Sequence, residues 1–393
     1  MRERFKKYCD VISGYAFKSE DLLDEGEVPI VKIGNISNGG DIIIDDSTQY
    51  VSDDFLQINE KYHIRKRDIL ISLTGSHINQ PNSMVGRTCR SYSDREYLLN
   101  QRAGKVIPHN KNTADYLYYL LSSKSIQENI VTRAYGAANQ VNISPSAIEN
   151  IKWEFPNNDT QKKIGSMLSL FDELIVVNNK RIMIFEQMAE NLYKEWFVRF
   201  RFPGYENTEF ESGIPNWDLC KVDDIVDIKA GGDRPSICVA EKNDTCNIPI
   251  YSNGIENDGL YGYTTEPVVI KEGITISARG TVGYVCLHRK PFVPIVRLLA
   301  LTPKYEWLDA VYLFYLFKYD TIIGNGTSQQ QITVPMVKRK KVLLPPNKLI
   351  NNFSKYATDI WNQIDILKEQ NEILSKQRDL LLPRLMSGKL EVK

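Results

Sequence analysis

The chain has 393 residues, enough for two or three domains that each bury a hydrophobic core. Its hydrophobic content of 42% and charged content of 25% are ordinary for a globular protein and exclude a chain that is disordered throughout. Its 49 Lys and Arg balance 49 Asp and Glu, so the formal net charge is zero. A protein that binds nucleic acid through net charge alone is therefore excluded, and any such contact must come from local patches or from a more basic partner.

No apolar run reaches the length of a membrane span, and residues 1–7 lack the apolar core of a signal peptide. We therefore expect no membrane association and a cytoplasmic location. The six cysteines include no Cys-x-x-Cys pair and are interpreted as reduced structural thiols, with a metal site as the alternative.

The first part of the chain alternates short β-rich runs with turns. Residues 28–33 and 69–73 predict strands, 116–121 predict an apolar helix, and 135–142 predict a polar loop before a strand at 151–155. These elements predict a globular domain over residues 1–156.

A long helix is predicted over residues 157–202. Apolar residues recur there in steps of three and four, an a/d heptad pattern in which Asn178 is the polar interruption. At 1.5 Å per residue, about 40 helical residues would extend for roughly 60 Å, which is longer than a small domain needs. Such a helix requires a partner helix.

The second half of the chain repeats this order. Residues 312–317 match residues 116–121 at an offset of 196, and Pro345 matches Pro156 at an offset of 189. The repeat predicts a second globular domain over residues 203–345 and a second heptad helix with a tail over residues 346–393. Identity between the two globular parts is low, which indicates one scaffold that presents two different surfaces.

The two helices are expected to pair as an antiparallel coiled coil in which Asn178 faces Asn371. One matched polar layer inside an apolar seam fixes the register at some cost in stability. The residues predicted to form this pairing are Phe171, Ile175, Asn178, Ile182, Phe185, Ile364, Leu367, Asn371 and Leu374. The fold class is therefore α/β (α+β): two similar mixed domains, each followed by a long α-helix, related by pseudo-two-fold symmetry. Two unrelated amphipathic helices, each packed on its own domain, remain the alternative.

No catalytic motif is evident. The chain lacks a Gly-x-x-x-x-Gly-Lys-Ser/Thr phosphate loop and the Asn/Asp-Pro-Pro-Tyr/Phe pattern of adenine methyltransferases. Its four histidines are dispersed, which disfavours a metal cluster or a His-activated nucleophile. The chain is therefore predicted not to be an enzyme by itself.

Polar loops with glycines recur at equivalent places in both halves. Asn and Gln side chains can bind adenine edges, Arg binds guanine, and Ser or Thr contact phosphates or bases. For any single residue, an ordinary solvated loop is the alternative interpretation. The candidate DNA-contact residues are Lys32, Asn35, Thr74, Ser76, Asn79, Gln80, Arg87, Asn139, Gln140, Arg234, Ser252, Asn253, Arg279, Thr281, Thr327, Ser328, Gln329 and Gln330.

Several stretches together resemble the specificity subunit of type I restriction-modification systems, and the resemblance covers essentially the whole chain. They are residues 14–17, the Thr74-Gly75 and Arg279-Gly280 turns, the polar loops at 136 and 326, and the helix ends at 187–197 and 381–388. The second domain departs from the pattern, because residues 229–234 replace the Gly-x-x-Phe opening of the first.

The resemblance implies a DNA-reading subunit without catalysis or a metal site. Its two target-recognition domains would each contact one half-site of double-stranded DNA, and the helices would set the gap between them. The partners it implies are two methyltransferase subunits and two restriction/translocase subunits. S-adenosylmethionine, ATP and Mg would reside in those partners, with no cofactor in this chain. The alternatives are a duplicated protein-binding scaffold with a coiled-coil spacer and a stand-alone DNA methyltransferase.

Overall fold

A computed structural model describes residues 1–77, 83–137, 140–322 and 331–392, which fall into two compact units. Unit 1 combines Met1–Lys180 with Lys368–Lys393, and unit 2 is Arg181–Leu367. Among the described residues, no helix is both long enough and apolar enough to cross a lipid bilayer.

Before the first long helix, the described part of unit 1 contains short strands and short helices. The strands are β1 (Glu3–Arg4), β2 (Cys9–Ser13), β3 (Val28–Val31), β4 (Tyr50–Val51), β5 (His63–Ile64), β6 (Ile69–Ser72), β7 (Thr74–Gly75), β8 (Thr88–Arg90), β9 (Tyr97–Leu99), β10 (Ala103–Pro108), β11 (Tyr135–Ala137), β12 (Gln140–Asn142) and β13 (Lys152–Trp153). The helices are α1 (Ala114–Ser122), α2 (Lys124–Arg133) and α3 (Pro145–Glu149). Single 3-10 turns lie at Phe5–Lys7, Ser19–Asp21, Ile33–Asn35, Asp53–Gln57, Glu60–Tyr62 and Lys111–Thr113.

The remaining elements begin with the first long helix. The helices are α4 (Asn158–Tyr193), α5 (Val222–Ile225), α6 (Ala310–Tyr319), α7 (Val334–Arg339) and α8 (Asn347–Met386). The strands are β14 (Phe210–Glu211), β15 (Ile214–Pro215), β16 (Asp218–Lys221), β17 (Val226–Ala230), β18 (Ile248–Tyr251), β19 (Leu260–Thr264), β20 (Gly273–Ile276), β21 (Val285–His288), β22 (Val293–Pro294), β23 (Leu299–Pro303) and β24 (Lys341–Leu344). A π-helical turn at Lys194–Val198 follows α4, and 3-10 turns lie at Tyr205–Asn207 and Glu256–Gly259.

The two units repeat one sheet topology. Unit 1 has an antiparallel sheet in the order β2-β10-β6-β8, and unit 2 has one in the order β17-β23-β20-β21. Each unit also pairs two strands in parallel, β3 with β9 and β18 with β22. The predicted fold class, two similar mixed domains with long helices, is confirmed at this level.

Residues of α4 and α8 pack antiparallel within unit 1. Asn178 Nδ2 donates to Asn371 Oδ1 at 2.9 Å, and Asn371 Nδ2 donates to Asn179 Oδ1 at 2.8 Å. The register is therefore the one in which the two predicted asparagines face each other. Phe171 and Ile175 of α4, and Leu374 of α8, are partly buried.

Residues of the same two helices pack antiparallel within unit 2 as well. The rings of Tyr193 in α4 and Phe353 in α8 lie 5.7 Å apart between centroids. The hydrophobic core there includes the predicted seam residues Ile182, Phe185, Ile364 and Leu367. Their close packing is what a heptad seam provides when it buries its a and d positions.

The unit 1 core forms where α1 lies under the start of α4. Tyr116 and Leu117 of α1 pack with Ile164 and Leu168 of α4 in one buried cluster. At Gly165 a side chain is excluded, since a Cβ would lie 2.6 Å from Tyr116 N. The backbones of the two helices can therefore approach closely, and α4 is fixed directly to the domain that precedes it.

Candidate nucleic-acid interface

Two polar segments that the sequence places far apart meet in unit 1. β7 and β12 pair antiparallel, with Thr74 opposite Asn142 and Gly75 opposite Val141. Thr74 Oγ1 donates to Asn142 Oδ1 at 2.7 Å. The polar turn after β6 and the polar hairpin of β11 and β12 therefore form one small sheet.

Unit 2 repeats this junction at the matching positions. Ile332 N donates to Ala278 O at 3.1 Å, as Ile143 N donates to Leu73 O at 2.9 Å in unit 1. Ala278 is followed by Arg279, Gly280 and Thr281, all of them exposed. Gly280 has φ of 69°, a conformation that glycine adopts without strain, so the turn can project its two flanking side chains.

Asn253 organises the exposed turns of unit 2. Its Oδ1 accepts from Ala278 N at 2.8 Å and from Arg279 N at 3.4 Å. Its Nδ2 donates to Val296 O at 2.8 Å. One half-buried side chain therefore ties the end of β18 to the turn after β20 and to the turn after β22.

Two predicted contact residues near β3 form hydrogen bonds within unit 1. Asn35 is 5% exposed, donates to Ile43 O at 2.9 Å and accepts from Lys32 N at 2.8 Å. The half-buried Lys32 donates to Gln49 Oε1, and burial lowers the pKa of its ammonium. These polar atoms therefore shape the turn, and the role of Asn35 and Lys32 as DNA contacts stays a prediction.

Thr74, Ser76 and Arg87 are also turned into unit 1, with exposed fractions of 4%, 5% and 9%. Ser76 Oγ shares a hydrogen bond of 2.8 Å with Ser83 Oγ. Arg87 Nη2 donates to Ile33 O at 2.8 Å. These groups hold the turns among the described residues, and their role as DNA contacts stays a prediction.

Other predicted residues face solvent. Gln140, Arg234, Arg279 and Thr281 are exposed, and Ser252 is half-buried. The predicted residues Asn79, Gln80, Asn139, Thr327, Ser328, Gln329 and Gln330 lie outside the described residues. Of the described part, the accessible candidates therefore concentrate in unit 2.

The second domain lacks the Gly-x-x-Phe opening of the first, but Gly231 occupies the structural position of its glycine, Gly14. Gly14 N donates to Ala103 O at 3.0 Å, and Gly231 N donates to Leu298 O at 2.8 Å, at the same place in the two topologies. A Cβ at Gly14 would lie 2.3 Å from Leu99 O, and one at Gly231 would lie 2.7 Å from Ile295 N. The glycine is thus equivalent in both units, and only the aromatic residue after it is absent.

Two exposed arginines escaped the sequence prediction. Arg102 and Arg297 each follow the second strand of the parallel pair, which is β9 in unit 1 and β22 in unit 2. Among the described residues, neither guanidinium has a hydrogen bond or ion pair. Their offset of 195 residues, close to the repeat spacing, is the signal that could have found them.

The described residues hold no group of three or more His, Cys, Asp or Glu placed to bind a metal ion. Burial raises the pKa of the Cys9, Cys89 and Cys286 thiols to about 12 in each case. Such thiols remain protonated at neutral pH and are poor nucleophiles, which fits the structural role expected for them.

Comparison with known proteins identifies one family. A sequence profile described as "Type I restriction modification DNA specificity domain" matches residues 4–184 and again residues 215–379. The two matched segments repeat the internal duplication.

Curated relatives match along most of their length. The putative type I restriction enzyme MjaX specificity subunit of Methanocaldococcus jannaschii is 26% identical over 401 residues, covering 97% of this chain and 88% of the relative. The type I restriction enzyme MjaIX specificity subunit of the same organism is 25% identical over 318 residues, covering 75% and 73%. Among solved structures, a type I restriction-modification system S subunit from M. genitalium has a TM-score of 0.59 at 19% identity and covers 98% of this chain and 95% of that one. At this level of identity, the similarity to the M. genitalium structure shows a shared fold.

Proposed function

The chain belongs to the family of the type I restriction modification DNA specificity domain, and from this premise we propose that it selects the bipartite DNA target of such a system. Each globular domain reads one half-site of double-stranded DNA, and the long helices fix the gap between the half-sites. The chain itself performs no catalysis. The observation that carries this proposal is the repetition in unit 2 of the sheet order and the polar junction of unit 1.

The balanced charge of the chain is compatible with this role if partners supply affinity. Most of the affinity for DNA comes from phosphate neutralisation, whereas sequence is selected at base edges. A chain with 49 basic and 49 acidic residues is poorly suited to the first task. Arg279 and Thr281 are exposed on a turn whose backbone binds Asn253 at Arg279 N, and their side chains suit the second.

Exposed apolar rows on the long helices support docking of partner subunits. In unit 1, α4 exposes Leu170, Leu174 and Val177 by 61%, 51% and 52%, and α8 exposes Ile373 by 55%. The spacing of three and four residues on α4 is that of a second helical seam. We assign these rows to methyltransferase subunits that dock through helices of their own.

Comparable residues are exposed in unit 2, where Met183, Ile184 and Met188 of α4 are exposed by 67%, 59% and 50%. One such row per unit supports two methyltransferase subunits. Two restriction/translocase subunits then join the complex. S-adenosylmethionine, ATP and Mg act in those partners.

The test is selection from random duplex DNA by this chain co-expressed with the methyltransferase encoded nearest to it. Two short conserved blocks separated by a fixed run of free positions are the expected result. A single contiguous block would mean that one domain alone reads DNA. No enrichment by a verified complex at low salt would favour a duplicated protein-binding scaffold instead, and binding of S-adenosylmethionine by the isolated chain would favour a stand-alone methyltransferase.

A further inference from the structure

The two units place an arginine at the same turn. Gln101 N donates to Tyr15 O at 2.9 Å in unit 1, and Val296 N donates to Gly232 O at 2.8 Å in unit 2. The accepting residues, Tyr15 and Gly232, each come directly after the equivalent glycines, Gly14 and Gly231. The residue after each donor is Arg102 in unit 1 and Arg297 in unit 2, so the two arginines occupy equivalent positions.

The turn in unit 2 has a strained backbone. Val296 and Arg297 have φ values of 52° and 60°, in the left-handed region that β-branched residues in particular avoid. Val296 is nevertheless 52% exposed, so no burial of its side chain compensates for the strain. Strain of this kind persists where surrounding contacts over-determine the backbone, and it concentrates at functional sites.

Those contacts are present on several sides of the turn. Arg297 N donates to Gly231 O at 3.0 Å, and Leu298 N donates to Ile295 O at 3.0 Å. Val296 O accepts from Asn253 Nδ2 at 2.8 Å. The Cα position of Arg297 is therefore fixed relative to Asn253, which also binds the backbone of the Arg279 turn.

The turn in unit 1 is joined to the corresponding polar segment. Arg102 O accepts from Leu73 N at 3.0 Å, and Leu73 immediately precedes the polar strand Thr74–Gly75. Arg102 and Arg297 are both exposed. The guanidinium groups of Arg102 and Arg297 have no hydrogen-bond or ion-pair partner among the described residues. By contrast, the guanidinium of Arg289 in unit 2 forms an ion pair of 2.8 Å with Asp365.

We propose that Arg102 and Arg297 are the equivalent base-reading arginines of the two domains, each contacting guanine in the half-site of its own domain. This rests on the DNA-reading function proposed above. A guanidinium can donate two parallel hydrogen bonds to guanine O6 and N7, a geometry that requires an accurately placed Cα. A phosphate contact makes no such demand on the backbone, so the strained turn favours base reading by Arg297. Arg102 is assigned the same role because it occupies the equivalent position.

The experiment is selection from random duplex DNA by the complete complex, carrying either Arg297→Ala or Arg102→Ala. Each variant is expected to lose about 5- to 150-fold of its discrimination for guanine at one position of one block, while the other block is unchanged. The unaffected block is the internal control for assembly and affinity. Arg297→Lys should show a smaller loss in the same block than Arg297→Ala, since the ammonium can still donate to guanine O6 or N7 but lacks the planar fork.

Val296→Gly separates reading from folding. Glycine adopts the left-handed conformation without strain and keeps every backbone hydrogen bond, so the thermal unfolding temperature should be maintained or raised. Discrimination in the same block should nevertheless fall several-fold, because the turn is less rigid. Unchanged discrimination in this variant would contradict the role of the strained turn.

Other outcomes separate this inference from the function on which it rests. A uniform loss of affinity for all sequences, with a shallower salt dependence, would mean a phosphate contact and would overturn base reading. Two blocks that no arginine variant alters would also overturn it. Absence of two blocks with the unaltered complex would contradict the proposed function itself.

Discussion

Arg378 Nη1 donates a hydrogen bond of 2.6 Å to Oδ1 of Asp172, which joins α8 to α4 inside unit 1. Asp172 is 4% exposed, and its other oxygen accepts from the hydroxyls of Tyr92 and Tyr119. Arg378→Met would leave a buried carboxylate without its cation. We expect unit 1 to lose about 3–5 kcal/mol of unfolding free energy.

Hydrogen exchange resolved by peptide measures this loss, because it reports unit 1 and unit 2 separately. Arg384→Met, at an exposed position of the same helix, is the matched control and should change stability by no more than about 0.5 kcal/mol. Equal effects of the two substitutions would show that Arg378 contributes no more than an ordinary surface arginine.

The pairing of Asn178 with Asn371 predicts that a single substitution lowers the unfolding free energy more than the double substitution does. Asn371→Leu alone removes the acceptor of Asn178, which is 6% exposed, and should cost about 1–3 kcal/mol. Asn178→Leu together with Asn371→Leu removes both groups and should restore or exceed the original stability. Urea unfolding provides the comparison, and a double variant less stable than the single one would contradict this account.

The buried histidine of unit 2 predicts a dependence of stability on pH. Burial lowers the pKa of His288 to about 3, and Thr275 Oγ1 lies 2.8 Å from its Nε2. The unfolded chain then binds more protons than the folded chain between pH 6.5 and 3. The unfolding free energy should therefore fall by about 1.4 kcal/mol for each unit that the pH drops below 6.5.

His288→Gln can keep a hydrogen bond to Thr275 but does not titrate. Unfolding by urea between pH 5 and 8, where few carboxylates titrate, should show the stability difference between original and variant shrinking as pH falls below 6.5. A difference that stays constant across this range would exclude His288 as the source.

The three hydrogen bonds of Asn253 predict that two substitutions differ. Asn253→Asp keeps the oxygen that accepts from Ala278 N and Arg279 N but loses the donor to Val296 O, whereas Asn253→Ala loses all three hydrogen bonds. Target discrimination by the assembled complex should fall in one half-site for both variants and more for alanine. DNA selection measures it, and equal losses in both half-sites would mean that Asn253 does not act through its own domain.

A matched deletion tests the helices as a ruler. Removing residues 175–181 together with 368–374 takes one heptad from each helix and keeps the antiparallel layers in register. The loss of about 10.5 Å should shorten the gap between half-sites by up to about 3 base pairs. Both half-site sequences should be retained, and an unchanged gap with altered half-sites would contradict the ruler.

The sequence predicted those features that depend on local periodicity. The apolar helix at 116–121 lies within Ala114–Ser122, and its repeat at 312–317 lies within Ala310–Tyr319. Heptad spacing also placed Asn178 opposite Asn371, because residue identity along one helix face determines how two helices match.

Contacts that depend on distant backbone could not be predicted in this way. The pairing of Thr74 with Asn142 joins segments 68 residues apart, and no local pattern indicates it. The burial of Asn35 could not be predicted either, because the sequence of a polar turn does not indicate how far each side chain is exposed. The sequence did not indicate that Gly14 and Gly231 are equivalent. Each is required because the backbone of a neighbouring segment lies too close for a side chain, while the residues that follow the two glycines differ.

Unit 1 is made from two segments that flank unit 2 in the sequence, and this determines the order in which the residues of the two units are translated. Leu385 and Met386 of α8 belong to the same buried cluster as Phe5 and Leu168, whereas unit 2 is the continuous segment Arg181–Leu367. On the ribosome, the second domain has all of its residues before the first one does. A stop codon that replaced a codon between those of Lys368 and Leu385 would therefore damage the domain that was translated first.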